Sequence, residues 1–290
     1  MFENSFSVIR FRHQLRGILL LVALLVTVSG AVLAGAQEAD GNPAIVASAD
    51  GITVPDELFS GITTITLQND TDSEFQPALM RFIDGKTLDD FTAAMMAQDV
   101  PGMLATVSAL GTPFVAPGEA VDVTYDLQAG DYVLIHFNAD GPPTLLPFAV
   151  TDLPGSVHEA PEADVEVTML DYAFEIPAEL VTGEALWQFT NGGEQTHELV
   201  IYAVDPDATA EDVTSTIMEA VMSTPPGTAW EIPFEVANAF AGISPGETAW
   251  MTVDLPPGTY AVVCMVPDFT STPPITHLQH GMIALLTVSE

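Results

Sequence analysis

The second half of this chain repeats the first, and that constrains its fold more than any local pattern, because both halves must bury their apolar faces with one succession of elements. Ile52-Thr-Val-Pro-Asp-Glu-Leu58 is matched by Phe174-Glu-Ile-Pro-Ala-Glu-Leu180, each followed by a glycine turn and a strand-like run. FQPALMRFIDGKTLDDFTAAMM (75–96) is matched by THELVIYAVDPDATAEDVTSTIM (196–218). Ala116-Pro-Gly-Glu-Ala120 matches Ser244-Pro-Gly-Glu-Thr248, AVDVTYDLQAGDYVLIHF (120–137) matches TAWMTVDLPPGTYAVVCM (248–265), and FAVTD (148–152) matches LTVSE (286–290). Matches kept in one order over about a hundred residues mean two copies of one domain. We place the copies at 49–152 and 164–290, with a linker at 153–163 and an N-terminal linker at 37–48.

Each copy reads as mostly β. Ala249, Met251, Val253 and Leu255 alternate with Thr248, Trp250, Thr252 and Asp254, the period-two pattern of a half-buried strand. Gly and Pro turns follow at the short intervals of an all-β Greek-key sandwich. One helix per copy interrupts the strands, near 87–98 and 208–222, opening at Thr87 or Thr209 with acids in its first turn. Met95, Met96, Ile217, Val221 and Met222 sit at helical spacing and are expected to pack against the sandwich.

Residues 1–36 stand outside the repeat. Arg10, Arg12 and Arg16 precede the apolar run from Gly17, which ends in Ala34-Gly35-Ala36. A basic start, an apolar stretch and an A-x-A end describe a secretory signal peptide cleaved near Ala36. An uncleaved anchor over Gly17–Gly35 is the alternative. Export predicts a periplasmic, cell-surface or extracellular protein with no membrane association beyond this segment. Cleavage leaves Arg81 and Lys86 against 39 acids, a net charge of −37 with neutral histidines. Such a surface excludes nucleic acid as a partner. Solubility in salty water accounts for the charge, since the acids are spread throughout. Docking to a redox partner with a basic face is the functional alternative.

The chain has one cysteine, Cys264, so no internal disulfide can form. In an oxidising compartment a lone thiol is a hazard unless buried or ligated. Cys264 ends an apolar strand, and His277 and Met282 flank the entry to the last strand with the spacing H-x4-M. His197 begins an earlier strand, six residues after Asn191. In a Greek-key sandwich these strand ends can meet at one pole. Two imidazoles and a thiolate, with a weak axial thioether, suit a single copper ion used for electron transfer.

Here the chain resembles the cupredoxin (blue copper) superfamily, of the plastocyanin/azurin type. The resemblance rests on Asn191-x5-His197, on GTYAVVC ending at Cys264, on Pro267-Asp268, on His277 and on Gly281-Met282. It covers 164–290, and 49–152 in fold only. It implies His197, Cys264 and His277 as equatorial copper ligands, Met282 as the axial one, and Asn191 as a residue fixing the ligand loop. Twelve residues separate Cys264 from His277, more than in the family's best-known members. A loop of that length specifies the site less rigidly and admits His280 as a rival ligand. Altered ligation, zinc included, and a metal-free descendant are the other readings.

The first copy lacks the set. On the repeat, His197 falls opposite Gln76, Cys264 opposite His136 and Met282 near Thr144, while His277 has no counterpart. His136 is read as a solvated or packed imidazole, His158 as a solvated linker residue. Copper oxidases and nitrite reductases need further histidines, commonly as His-x-His, and none occurs here. No H-E-x-x-H is present either. The expectation is a binding or electron-carrying protein, not an enzyme. A metal-free secreted scaffold and a copper carrier without redox cycling are the alternatives.

Overall fold

The computed structural model describes residues 41–290 apart from 139–140, 158 and 225–229. The proposed signal segment and His158 lie outside the described residues.

The first copy contains β1 (Ala44–Ser48), β2 (Gly51–Thr53), β3 (Leu58–Phe59), β4 (Gly61–Asn69), β5 (Ala78–Phe82), β6 (Val107–Ala109), β7 (Ala120–Leu127), β8 (Gly130–His136) and β9 (Thr144–Thr151). The second contains β10 (Val165–Leu170), β11 (Ala173–Glu175), β12 (Glu179–Val181), β13 (Gly183–Asn191), β14 (His197–Val204), β15 (Glu235–Ile243), β16 (Thr248–Leu255), β17 (Gly258–Val263), β18 (Pro267–Asp268), β19 (Ile275–Thr276) and β20 (Ile283–Ser289). Helices α1 (Leu88–Met96) and α2 (Val100–Leu104) follow β5, and α3 (Ala210–Ser223) follows β14. The fold is all-β: two tandem Greek-key sandwiches, each with a helical insertion. β1, which the sequence reading put in the N-terminal linker, is a full member of the first sandwich and pairs in parallel with β4. Its short alternating run, Ala44 to Ser48, lies ahead of the first segment that repeats detectably.

One sheet belongs to both copies. Its order is β11-β10-β13-β16-β7-β4-β1-β2, and each copy closes its sandwich with its own second sheet, β3-β9-β8-β5-β6 or β12-β20-β17-β14-β15. The seam is β7 against β16, two strands that correspond in the repeat. Val123 lies opposite Met251, its own counterpart, so a pseudo-twofold axis passes between them. Beyond β6, Leu110 and Pro113 bridge to Ile243 and Phe240 on β15. Phe240 stacks on Phe189 at a ring separation of 4.6 Å. Gly111, at φ +77°, leaves room for that ring, since a Cβ there would overlap it. Across the same seam Arg81 pairs with Glu247 at 3.2 Å. The two apolar cores therefore merge into one.

The wide sheet explains a departure in β16. Trp250 points away from the sandwich interior, as the alternation predicts, yet is buried. It lies on a strand flanked on both sides, and its indole N–H donates to Gln188 Oε1 on β13 at 3.1 Å. The helices open with capping boxes, Thr87 with Asp90 and Thr209 with Asp212. Phe91 and Met95 on α1, and Val213, Ile217 and Val221 on α3, pack on the second sheets. Met96 and Met222 do not, contrary to expectation. Each lies one residue, about 100° of helix, beyond the packing stripe and is exposed.

Candidate metal centre

His197, Cys264, His277 and Met282 converge at one pole of the second sandwich, all fully buried. β14 and β17 are neighbours, which places His197 at the start of one strand near Cys264 just past the end of the other. β20 runs antiparallel to β17, and the Cys264 amide donates to the Met282 carbonyl at 3.3 Å.

The twelve-residue excursion is tied at its base. His277 N–H donates to Val266 O at 2.9 Å and Leu278 N–H to Cys264 O at 2.8 Å, while β18 and β19 pair as a small ladder within it. Asp268, which is buried, holds its tip. One oxygen accepts from Thr270 N–H and Oγ1–H, the other from Ser271 Oγ–H and Tyr172 O–H. These bonds, those from Thr270 and Ser271 foremost, hold its carboxyl well below the usual carboxylate range. The loop is long, but backbone bonds close its base and Asp268 closes its tip. His277–His280 forms one 3₁₀ turn, and its last residue, His280, faces outward. His280 Nε2 bonds to Asp268 at 3.0 Å, and the ring lies outside the donor cluster.

The separations in the cluster are 3.0 Å between His197 Nδ1 and His277 Nδ1, 3.4 Å from Cys264 Sγ to His277 Nδ1, and 3.9 Å from Sγ to His197 Nδ1. The circle through three points so spaced has a radius of about 2 Å, the length of a metal–imidazole bond. Proton placement makes the same point. His197 Nε2 lies 3.0 Å from Asp171 Oδ1, an acceptor-only carboxylate, and His277 Nε2 lies 3.3 Å from Gln195 Oε1. With those acceptors taking the Nε2 protons, both rings would turn bare Nδ1 lone pairs towards each other. Two lone pairs at that distance repel unless a cation lies between them. The donor set fits one copper ion: two imidazole nitrogens and a thiolate, with the Met282 thioether buried beside them.

Burial sets the protonation of the metal-free site. It lowers His277 to about 4, helped by the neighbouring His197 ring, and it lowers His197 against the pull of Asp171. Both imidazoles are thus neutral donors near pH 7. Burial, with the nearby Glu198 carboxyl, pushes the Cys264 thiol far up. It stays protonated and inert until a metal displaces the proton. Glu198 N–H points at Cys264 Sγ at 3.5 Å, and the Glu198 carboxyl accepts from Met265 N–H at 3.1 Å. Burial raises that carboxyl to about 7. Sequence reasoning missed Glu198, which is one residue from a candidate ligand but indistinguishable from the other acids.

Asn191 fixes the loop before His197, donating to Gln195 O at 2.7 Å and Ile243 O at 2.8 Å. Asn69 does the same in the first copy, donating to Ser73 O at 2.8 Å and Val115 O at 3.0 Å. The asparagine therefore serves the fold of both copies. The equivalence also corrects the alignment. Val115 pairs with Phe75 as Ile243 pairs with His197, so Phe75, not Gln76, occupies the His197 position. Phe75 packs on His136 at 5.4 Å, and His136 Nδ1 is buried without a hydrogen-bond partner. In the first copy an aromatic contact fills the pole.

No protein-family model and no curated protein sequence matches the chain. Among solved structures, it is similar to a reduced auracyanin from Roseiflexus castenholzii at 22% identity, covering 43% of this chain and 95% of that one with a TM-score of 0.30. Auracyanin A from Chloroflexus aurantiacus, titled a "blue" copper protein, matches at 17% identity, 43% and 99% coverage and a TM-score of 0.28. A copper nitrite reductase from Nitrosomonas europaea matches at 14% identity over 87% of this chain and 85% of that one, with a TM-score of 0.24.

Proposed function

We propose that this protein binds one copper ion in its second sandwich through His197, Cys264, His277 and Met282, and carries single electrons. The observation that carries the reading is the triangle of Nδ1, Nδ1 and Sγ atoms with a metal-sized hole at its centre. Copper would supply a one-electron couple there. The chain's contribution is to hold soft and imidazole donors on strands and on a tied loop, so that little has to move when the charge changes. Burial of all four donors favours a carrier over an enzyme. A catalytic metal needs an open position for substrate, and these side chains leave none facing solvent.

The basic leader with its A-x-A end supports export, and the acidic surface supports a redox partner with a basic docking face. Among the described residues no helix is long and apolar enough to cross a membrane. Metal analysis after copper loading and desalting tests the site. The expected result is one copper per chain, reduced to near zero in a His197→Ala/Cys264→Ser double variant. Copper retained by that variant would place the ion elsewhere, and no copper in the wild type would sink the reading in favour of a metal-free scaffold.

A further inference from the structure

The turn between β10 and β11 consists of two residues, Asp171 and Tyr172, and both reach the donor cluster. Asp171 Oδ1 meets His197 Nε2 at 3.0 Å and also accepts from the backbone amides of Glu194 and Gln195 at 3.0 and 3.2 Å. The Tyr172 ring stands edge-on to His277 at 5.4 Å and lies against His280 at 4.3 Å. Its hydroxyl accepts from Gln195 Nε2 at 2.8 Å and donates to Asp268 at 3.1 Å. Gln195 in turn bonds His277 Nε2.

Two features mark this contact as built rather than incidental. Tyr172 is held at φ +68°, a left-handed conformation that a bulky side chain adopts only at a cost. Gly193 is the second. A Cβ there would lie 2.4 Å from Asp171 Oδ1 and 2.8 Å from His197 Nε2, so only glycine admits the carboxylate–imidazole bond.

The first copy supplies the control. Ala47 pairs with Asn69 as Met169 pairs with Asn191, so the counterparts of Asp171, Tyr172, Gly193 and Gln195 are Ala49, Asp50, Thr71 and Ser73. The copy without the donor set lacks the carboxylate, the ring, the glycine and the amide together. Shared ancestry of the fold does not require them; the donor cluster does.

We propose that the Asp171–Tyr172 turn is a cap for the metal centre. Asp171 is a positioning residue that fixes His197 in the Nε2–H form and aims its Nδ1 inward, while Tyr172, through Gln195, closes the site over His277. The cap accounts for the absence of any exposed imidazole edge among the four donors. It rests on the metal-binding reading above, and its first test needs no metal.

Long-range 1H–15N spectra of the metal-free wild-type chain at pH 7 should show His197 as the Nε2–H tautomer. An Nδ1–H tautomer would overturn the role of Asp171 whether or not copper binds. In copper-binding assays, Asp171→Ala should weaken affinity about 10- to 100-fold, and Asp171→Asn, which keeps an acceptor, should restore most of it. Equal affinities in all three proteins would overturn the proposal. Removal of copper by excess EDTA should be at least about tenfold faster in Tyr172→Ala than in wild type, and an unchanged rate would refute closure by the ring. Circular dichroism confirms that each variant is folded. If wild type takes up no copper, the functional reading fails while the tautomer result still decides the cap.

Discussion

His277 and His280 sit one 3₁₀ turn apart, yet only His277 is buried in the cluster, while His280 is spent on Asp268 and Tyr172. His277→Ala should therefore lower copper affinity by more than about 100-fold, whereas His280→Ala should change it by less than about tenfold. Titration against a competing chelator distinguishes them, and the reverse order would mean that the wrong histidine has been assigned. At this scale the sequence was partly legible. Residue types and strand ends singled out the four side chains that the fold gathers at one pole, because they form an unusual combination. They did not separate His277 from His280, since that choice depends on a turn closing between them. Nor did they reveal Asp171, Glu198 or Gly193, whose roles are purely spatial: an acid among 40 and a glycine among 21 carry no signal of their own.

Between β17 and β20 the decisive element is the tied excursion 265–276. The sequence reading treated its length as slackness. In the fold, backbone bonds from His277 to Val266 and from Leu278 to Cys264 close its base, and Asp268 gathers its tip. Asp268→Ala should cost about tenfold or more in copper affinity by loosening His277 without touching it. The pH sign follows from its depressed carboxyl. The stabilisation is fully present above the ordinary value of 3.8 and is lost as pH falls below it through the folded-state value. The stability difference between wild type and Asp268→Asn, followed by thermal melting, should be constant from pH 7 to 5 and shrink below about 3.8. A difference that grows on acidification would contradict this assignment. The helices show what periodicity conveys at this scale. Thr87 and Thr209 marked the caps, and Met95, Ile217 and Val221 pack as expected. Met96 and Met222 fall outside the packing stripes, because a composition of apolar residues does not fix which one faces inward.

Across the whole molecule, the duplication was readable but the way the copies join was not. Nothing in the pattern of β7 or β16 says that the two counterparts pair with each other, since an edge strand and a central strand share one alternation. Their pairing makes one eight-stranded sheet and one core, which gives the ligand-free copy a structural role. Residues 164–290 produced alone should expose β16 and the apolar face around Phe240, and should self-associate through β16. The pseudo-twofold seam shows that two such edges fit antiparallel. Light scattering should give a dimer or larger species, and a stable monomer at high concentration would show that the seam is dispensable. The central claim remains the copper centre, and the visible absorption spectrum of the Cu(II)-loaded full chain tests it most directly. The account predicts an intense band from Cys264 thiolate-to-copper charge transfer, abolished by Cys264→Ser. A colourless protein holding one copper per chain would contradict a thiolate-bound electron-transfer site.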